Sequence, residues 1–168
     1  ALAFYDAQTP SPIESVQARN VLAHALKSQG RYAEAAAVIR KAIARLRQLP
    51  EPPRSDIAIF EMNLGKSLKS SGQSKAARKA LQRGLTLWKK NGDPPHPAVA
   101  MTYHALAELH RERKAFPKAR SALNEARKVL ADAGMKGSAH DAGVLIAFGH
   151  IEPGESARRR LTEALERH

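Results

Sequence analysis

The sequence contains no cysteine, few aromatic residues, few acids and no long apolar run. Without cysteine there is no disulfide framework, no thiol chemistry and no thiolate zinc site, and the composition suits a reducing, cytoplasmic setting. The longest apolar stretch, Ala142 to Phe148, is far shorter than the roughly 20 residues that span a bilayer, so membrane insertion is not expected. The N-terminus has neither the basic lead nor the apolar core of a targeting peptide, and no initiator methionine. Acids are scarce: 16 Asp and Glu stand against 28 Lys and Arg, a formal charge of +12 that directs attention to acidic proteins, nucleic acid or anionic surfaces. The hydrophobic share, 43%, is too large for a disordered segment and leaves a helical, globular profile.

What is present is a period. The chain has 168 residues, four times 42, and sliding it against itself by 42 superposes like on like. Gly30 falls on Gly72. Leu22, Leu64 and Leu106 form a column, followed by Ala23, Gly65 and Ala107. Ala35, Ala77 and Ala119 form another, then Ile39, Leu81 and Leu123, then Ala42, Gly84 and Ala126, then Leu46, Trp88 and Leu130. Pro10, Pro52 and Pro94 keep the same step, so the breakers recur with the core.

Inside each unit the apolar residues follow helical spacing, which predicts two amphipathic helices per unit. The expected helices are 16–28 and 32–48, 56–70 and 74–91, 98–113 and 117–133, and 139–148 and 155–166. Short turns at Gly30, Gly72 and Ala115 join the helices of a pair, and proline-bearing loops join the pairs. Where Ala23, Gly65 or Ala107 faces Ala35, Ala77 or Ala119, two backbones can approach closely while Leu and Ile fill the flanks. A single pair cannot bury its own apolar faces, so the units must stack. The division reads as 1–15, the tail of a preceding helix and a linker; 16–54, 55–97 and 98–136, three repeats; and 137–168, a contracted fourth repeat or cap. Its spacing shrinks to 38, from Ala119 to Ala157, while Val144, Phe148, Ala157, Leu161 and Ala164 keep the core columns. Phe4 lies 42 before Leu46, so the first residues are expected to end an earlier helix of a longer array, with Leu2, Phe4 and Tyr5 an apolar edge able to self-associate.

These columns resemble the tetratricopeptide repeat in its 42-residue, kinesin-light-chain form. The resemblance rests on Leu64-Gly65 with Leu68, Gly72 and Ala77; on Gly30-Arg31-Tyr32 with Ala35; on Phe116 with Ala119; and on the linker Asp93-Pro94-Pro95-His96-Pro97-Ala98-Val99-Ala100. His110 and Ser74 depart from it, standing where the family prefers large apolar or aromatic residues, and looser packing of the second and third pairs is expected there. It implies an all-α fold, a right-handed solenoid of antiparallel helix hairpins, and a non-enzymatic adaptor whose first helices line a concave peptide groove. It also implies that groove-facing asparagines bond a ligand backbone, with Asn20 and Asn63 in those columns and His104 in the equivalent place of the third unit. One turn onward the same face carries His24, Lys66 and Glu108, then Lys27, Lys69 and Arg111. Four cations and one anion suit an acidic or carboxylate-ended peptide.

Between Met62 and Gly92 there is no acid but there are eight cations. Lys75, Arg78, Lys79, Arg83 and Lys90 lie near one side of a helix, away from Ala77, Leu81 and Trp88, and are expected to form a basic ridge. Such a ridge offers nucleic acid or an anionic surface an alternative docking site, although no aromatic residues interleave with it to stack bases. A third reading makes the segment a structural or dimerising arm of a transcription or signalling regulator. No cofactor or metal site emerges. Gly65-Lys66-Ser67 lacks the upstream glycine of a phosphate-binding loop, with Phe60 in its place, and His104 with Glu108 finds no third ligand. His96 reads as a turn residue and Trp88 as core.

Overall fold

A computed structural model describes residues 12–91 and 95–151. Among these residues the chain forms α-helices and no strand: α1 Pro12–Ser28, α2 Tyr32–Arg47, α3 Arg54–Ser70, α4 Ser74–Asn91, α5 Pro97–Glu112, α6 Phe116–Asp132 and α7 Ala139–Gly149. The helices from α2 to α7 begin and end within two residues of the periodicity's prediction, and α1 starts four residues early, at Pro12. The predicted helix 155–166 and the segment with Leu2, Phe4 and Tyr5 lie outside the described residues.

The turns inside the pairs share one hydrogen-bonding pattern. Gly30, with φ 74°, donates to Lys27 at 3.0 Å while Arg31 donates to Leu26 at 2.9 Å. Gly72, with φ 78°, repeats it, its amide meeting Lys69 and that of Gln73 meeting Leu68. This is the paired closure that satisfies the last carbonyls of a helix and requires a left-handed residue, which glycine adopts without steric penalty. The third turn makes the same bonds, Lys114 to Arg111 and Ala115 to His110, so the left-handed residue is Lys114, with φ 56°, rather than Ala115. The start of α5 is set by His96, whose Nδ1 accepts from the Ala98 amide at 3.1 Å and whose ring stacks on Trp88 at 4.9 Å. His96 is therefore a cap and Trp88 a buried core residue at 7% exposure, with Pro97 at the first helical turn, where no donor is lost.

Each helix packs on the next, and α3 packs on α5 and α5 on α7 in addition, so the first helices of the second, third and fourth pairs lie side by side. The small columns allow this. A Cβ on Gly65 would stand 2.5 Å from Leu81 and 3.2 Å from the Ala77 carbonyl, and one on Gly84 would stand 3.2 Å from the Ala58 carbonyl. The α3–α4 pair thus closes by direct backbone approach. Ala35, Leu81, Ala119, Leu123, Ala126 and Leu130 are fully buried, as are Leu145 and Phe148 in the contracted unit. Two members of the pattern are not covered: Leu22 is 49% exposed, unlike Leu64 and Leu106 of its column, and Phe116 is 44% exposed. Val21, beside Leu22, is 69% exposed, so the two form an exposed apolar pair on α1.

Candidate functional site

The face shared by α1, α3, α5 and α7 collects most of the predicted groove residues. Lys66 of α3, His104 and Glu108 of α5, and His140 and Gly143 of α7 line one pocket of about 310 Å³, with Met101, Leu130 and Val144 as its apolar wall. The ring of His104 is seated against Gly143, where a Cβ would meet its Cε1 at 3.8 Å. Lys69 and Glu108 form an ion pair and hydrogen bond across the helix junction. The one acid of the predicted groove is thereby engaged, and Lys66 is left without a bonded carboxylate.

The electrostatics of this face follow from crowding of like charge in a partly dry setting. Burial holds the Lys66 ammonium below the usual lysine range, Lys27 and Lys69 repel it further, and Glu108 opposes the shift. Burial lowers Lys27 as well. His24 is lowered first by Lys27, then by burial and by Lys66. His104 is lowered mainly by burial, with Lys66 and Lys69 adding to it and Glu108 acting against it. His24, Lys27, Lys66, Lys69, His104 and Glu108 are therefore one interacting cluster. Arg111 is exposed, with no ion pair on this face.

The two asparagines are not equivalent. Forty-two residues on from Asn20 stands Met62, which is buried, and then His104; on either side of Asn63 stand Val21, exposed, and Ala105, buried. Asn20 lies in a different pocket, of about 400 Å³, with Leu46, Leu49, Pro53 and Phe60 and the acids Glu51 and Asp56. Asn63 is half-buried on α3, and its backbone carbonyl accepts from the Ser67 hydroxyl at 3.0 Å. Asn20 and Asn63 therefore occupy neighbouring positions of the repeat and not one column.

The basic ridge is also reshaped. Arg83 turns to Glu61 of α3, Nε donating to Oε1 at 2.9 Å and Nη2 to Oε2 at 2.7 Å. Arg47 of α2 donates to the same Oε1 at 2.9 Å. Arg78 is half-buried, its Nε enclosed without a hydrogen-bond partner; burial lowers the pKa of His110, and the charges of Lys118, Arg78 and Arg113 lower it further. Lys75 and Lys79 remain exposed, while the Lys90 side chain lies outside the described residues. A continuous row of five cations is therefore absent from the described part of α4.

Three contributors escaped sequence reasoning: Glu61, Arg47 and His140. Glu61 had a signal, because it stands one turn before Gly65 and two before Leu68, on the stripe that must face α4. Arg47 and His140 join their sites only through the stacking of helices remote in sequence. No group of three or more metal-ligating side chains stands together among the described residues, and no helix there is long and apolar enough to cross a membrane.

Comparison with known proteins agrees with the period. The tetratricopeptide repeat model matches residues 14–90 and again 56–132, two registers offset by 42. The crystal structure of BtubC (BKLC) from P. vanneervenii superposes with a TM-score of 0.78 at 21% identity, covering 99% of this chain. The present chain spans 65% of that protein's chain. Nearly identical TPR-like repeats of a Podosopora anserina kinesin light chain superpose at 0.70 with 16% identity, covering 90% of this chain and 71% of theirs. The Q17M form of those repeats gives 0.71 at 16% identity, over 95% of this chain and 74% of its own. No curated protein matches the sequence. The offset matches, the repeated turn chemistry and the adjacent first helices place this chain in the tetratricopeptide repeat family, with repeats of the kinesin-light-chain type.

Proposed function

We propose that this chain is a protein-binding scaffold whose first helices present a groove for an acidic segment of a partner. The observation that carries this reading is Lys66. It lies at the floor of a pocket bounded by α3, α5 and α7, is partly desolvated, stands among like charges, and has no carboxylate bonded to it. A carboxylate entering the pocket would relieve the repulsion between Lys66 and Lys27, and the apolar wall of Met101, Leu130 and Val144 would receive the adjacent side chain. Nothing in the arrangement supplies an activated nucleophile or a paired acid and base, so recognition rather than catalysis is the role it fits.

The test is a fluorescence anisotropy screen of acidic and matched neutral peptides, followed by variants of the selected binder's complex. Lys66→Gln is expected to weaken binding about tenfold, the loss of one charge-assisted hydrogen bond. Lys75→Gln, which removes the same charge from α4, is expected to leave it unchanged. Equal affinity for acidic and neutral peptides, or an unaltered Lys66→Gln, would remove the assignment.

A further inference from the structure

The second helices border a separate, open cationic cleft. Arg47 of α2 and Lys79, Gln82, Arg83, Thr86 and Leu87 of α4 line a space of about 460 Å³. It exists because α2 and α4 each pack on α3, which leaves a cleft between them. Glu61 is the key to its chemistry. The carboxylate is 2% exposed, and it binds both Arg47 and Arg83, which share its Oε1, while their side chains remain 53% and 48% exposed. It therefore holds two guanidiniums in fixed orientation with their outer edges toward solvent.

The donors are not used up. Arg47 commits only Nη2 to Glu61, and Arg83 commits Nε and Nη2, leaving Nη1. Lys79 has no acidic partner. Three cations against one buried carboxylate leave an excess of two positive charges at the mouth, with Leu87 as an apolar strip. The Thr86 hydroxyl donates to the Gln82 backbone carbonyl at 2.9 Å, so the donors for a ligand are the three cations. Donors from three side chains on two helices converge on a ligand with several acceptor oxygens and two negative charges. Planar guanidiniums held by a carboxylate behind them suit a tetrahedral oxyanion better than a single carboxylate, which one such group would saturate.

We infer that the cleft between α2 and α4 is a binding site for a dianionic phosphate monoester, held by Arg47, Lys79 and Arg83. A phosphorylated side chain fits better than a nucleotide, because Leu87 can cover a short aliphatic stem whereas no aromatic ring lines the cleft to stack a base. The site is independent of the groove on the first helices. It also gives the cations of α4 a different role from a diffuse ridge: position in the cleft, not net charge, decides which of them matter.

Titration calorimetry with a phosphoserine peptide, its unphosphorylated form, adenosine monophosphate and acetate tests this. It is best run above about pH 7, where the ester has lost its second proton, and at about 0.15 M salt, where remote charges are screened. The phosphoserine peptide is expected to bind and its unphosphorylated form and acetate are not. A nucleotide as tight as the peptide would show that the phosphate alone is read, which supports the site while reassigning the source of the ligand. Lys79→Gln is expected to weaken the phosphopeptide about tenfold. Lys75→Gln, one turn away on the same helix and equal in charge, is expected to have no effect. Both lysines are exposed and outside the Glu61 pairs, so neither change threatens folding. Equal losses from the two variants, or phosphopeptide affinity no greater than that of the unphosphorylated form, would overturn the proposal.

Discussion

Lys114 adopts the left-handed conformation that Gly30 and Gly72 take at the same point of the earlier pairs, and it does so with a Cβ. Holding a side chain there costs roughly 1–2 kcal/mol, while the hydrogen bonds of the turn are made equally well by glycine. Lys114→Gly is therefore expected to stabilise the chain, offset by the extra freedom glycine gains when unfolded, for a net gain of up to about 1 kcal/mol. Urea denaturation would read it as a higher midpoint; a lower one would show that the lysine side chain contributes something the turn does not reveal. Gly65 poses the opposite case. Alanine would gain about 1 kcal/mol of helix propensity but must displace Leu81 and press on the Ala77 carbonyl. Overpacking of that kind costs about 1–3 kcal/mol, so Gly65→Ala is expected to lower the urea midpoint despite the better propensity. An unchanged or raised midpoint would mean that α3 and α4 separate easily, contrary to their close approach.

At the scale of elements, Glu61 clips α2, α3 and α4 together at a point where each contributes one charged side chain. Its two guanidiniums are about half in water, which screens the attraction and limits its worth. Glu61→Gln keeps the shape but loses the charge-assisted bonds, and a loss of about 1–3 kcal/mol is expected in equilibrium unfolding. Arg47→Gln should lose less than Arg83→Gln, since Arg47 makes one of the three bonds and Arg83 two. The reverse order would show that the α2 contact dominates the clip. The clip also marks where sequence ran out. Helix positions, the turn at Gly72 and the close approach at Gly65 were legible because they are set within one unit and recur at a fixed step. The fate of Arg83 was not, because a helical wheel of α4 places it on the outer side and cannot show a carboxylate arriving from α3. The exposure of Leu22 escaped for a related reason: its column predicts burial only where another pair covers it. The asparagines were only partly legible: Asn20 steps by 42 to Met62 and His104, and Asn63 to Val21 and Ala105, so the two stand one position apart in the repeat.

Among the described residues, three histidines are held below their ordinary value of 6.5: His24 chiefly by Lys27, His104 and His110 chiefly by burial. In the window below 6.5 the unfolded chain therefore binds protons that the folded chain refuses, so the histidines' contribution to stability is complete above that value and falls as the pH drops. The urea midpoint is expected to decrease on acidification from neutral pH, and His104→Gln should make the decrease shallower. Ligand binding has the opposite sign. An acidic segment placed beside Lys66, His104 and His140 would favour the charged imidazole and raise the His104 pKa toward its ordinary value, so binding should take up protons. Affinity is then expected to rise as the pH falls from neutral, until the ligand's own carboxylates begin to protonate near about pH 4–5. Calorimetry of the complex in buffers of different ionisation enthalpy would give the proton uptake directly. Uptake in the parent chain that shrinks in His104→Gln would tie the effect to the pocket between α3, α5 and α7. An uptake that is absent, or untouched by that change, would show that the acidic ligand sits elsewhere on the array.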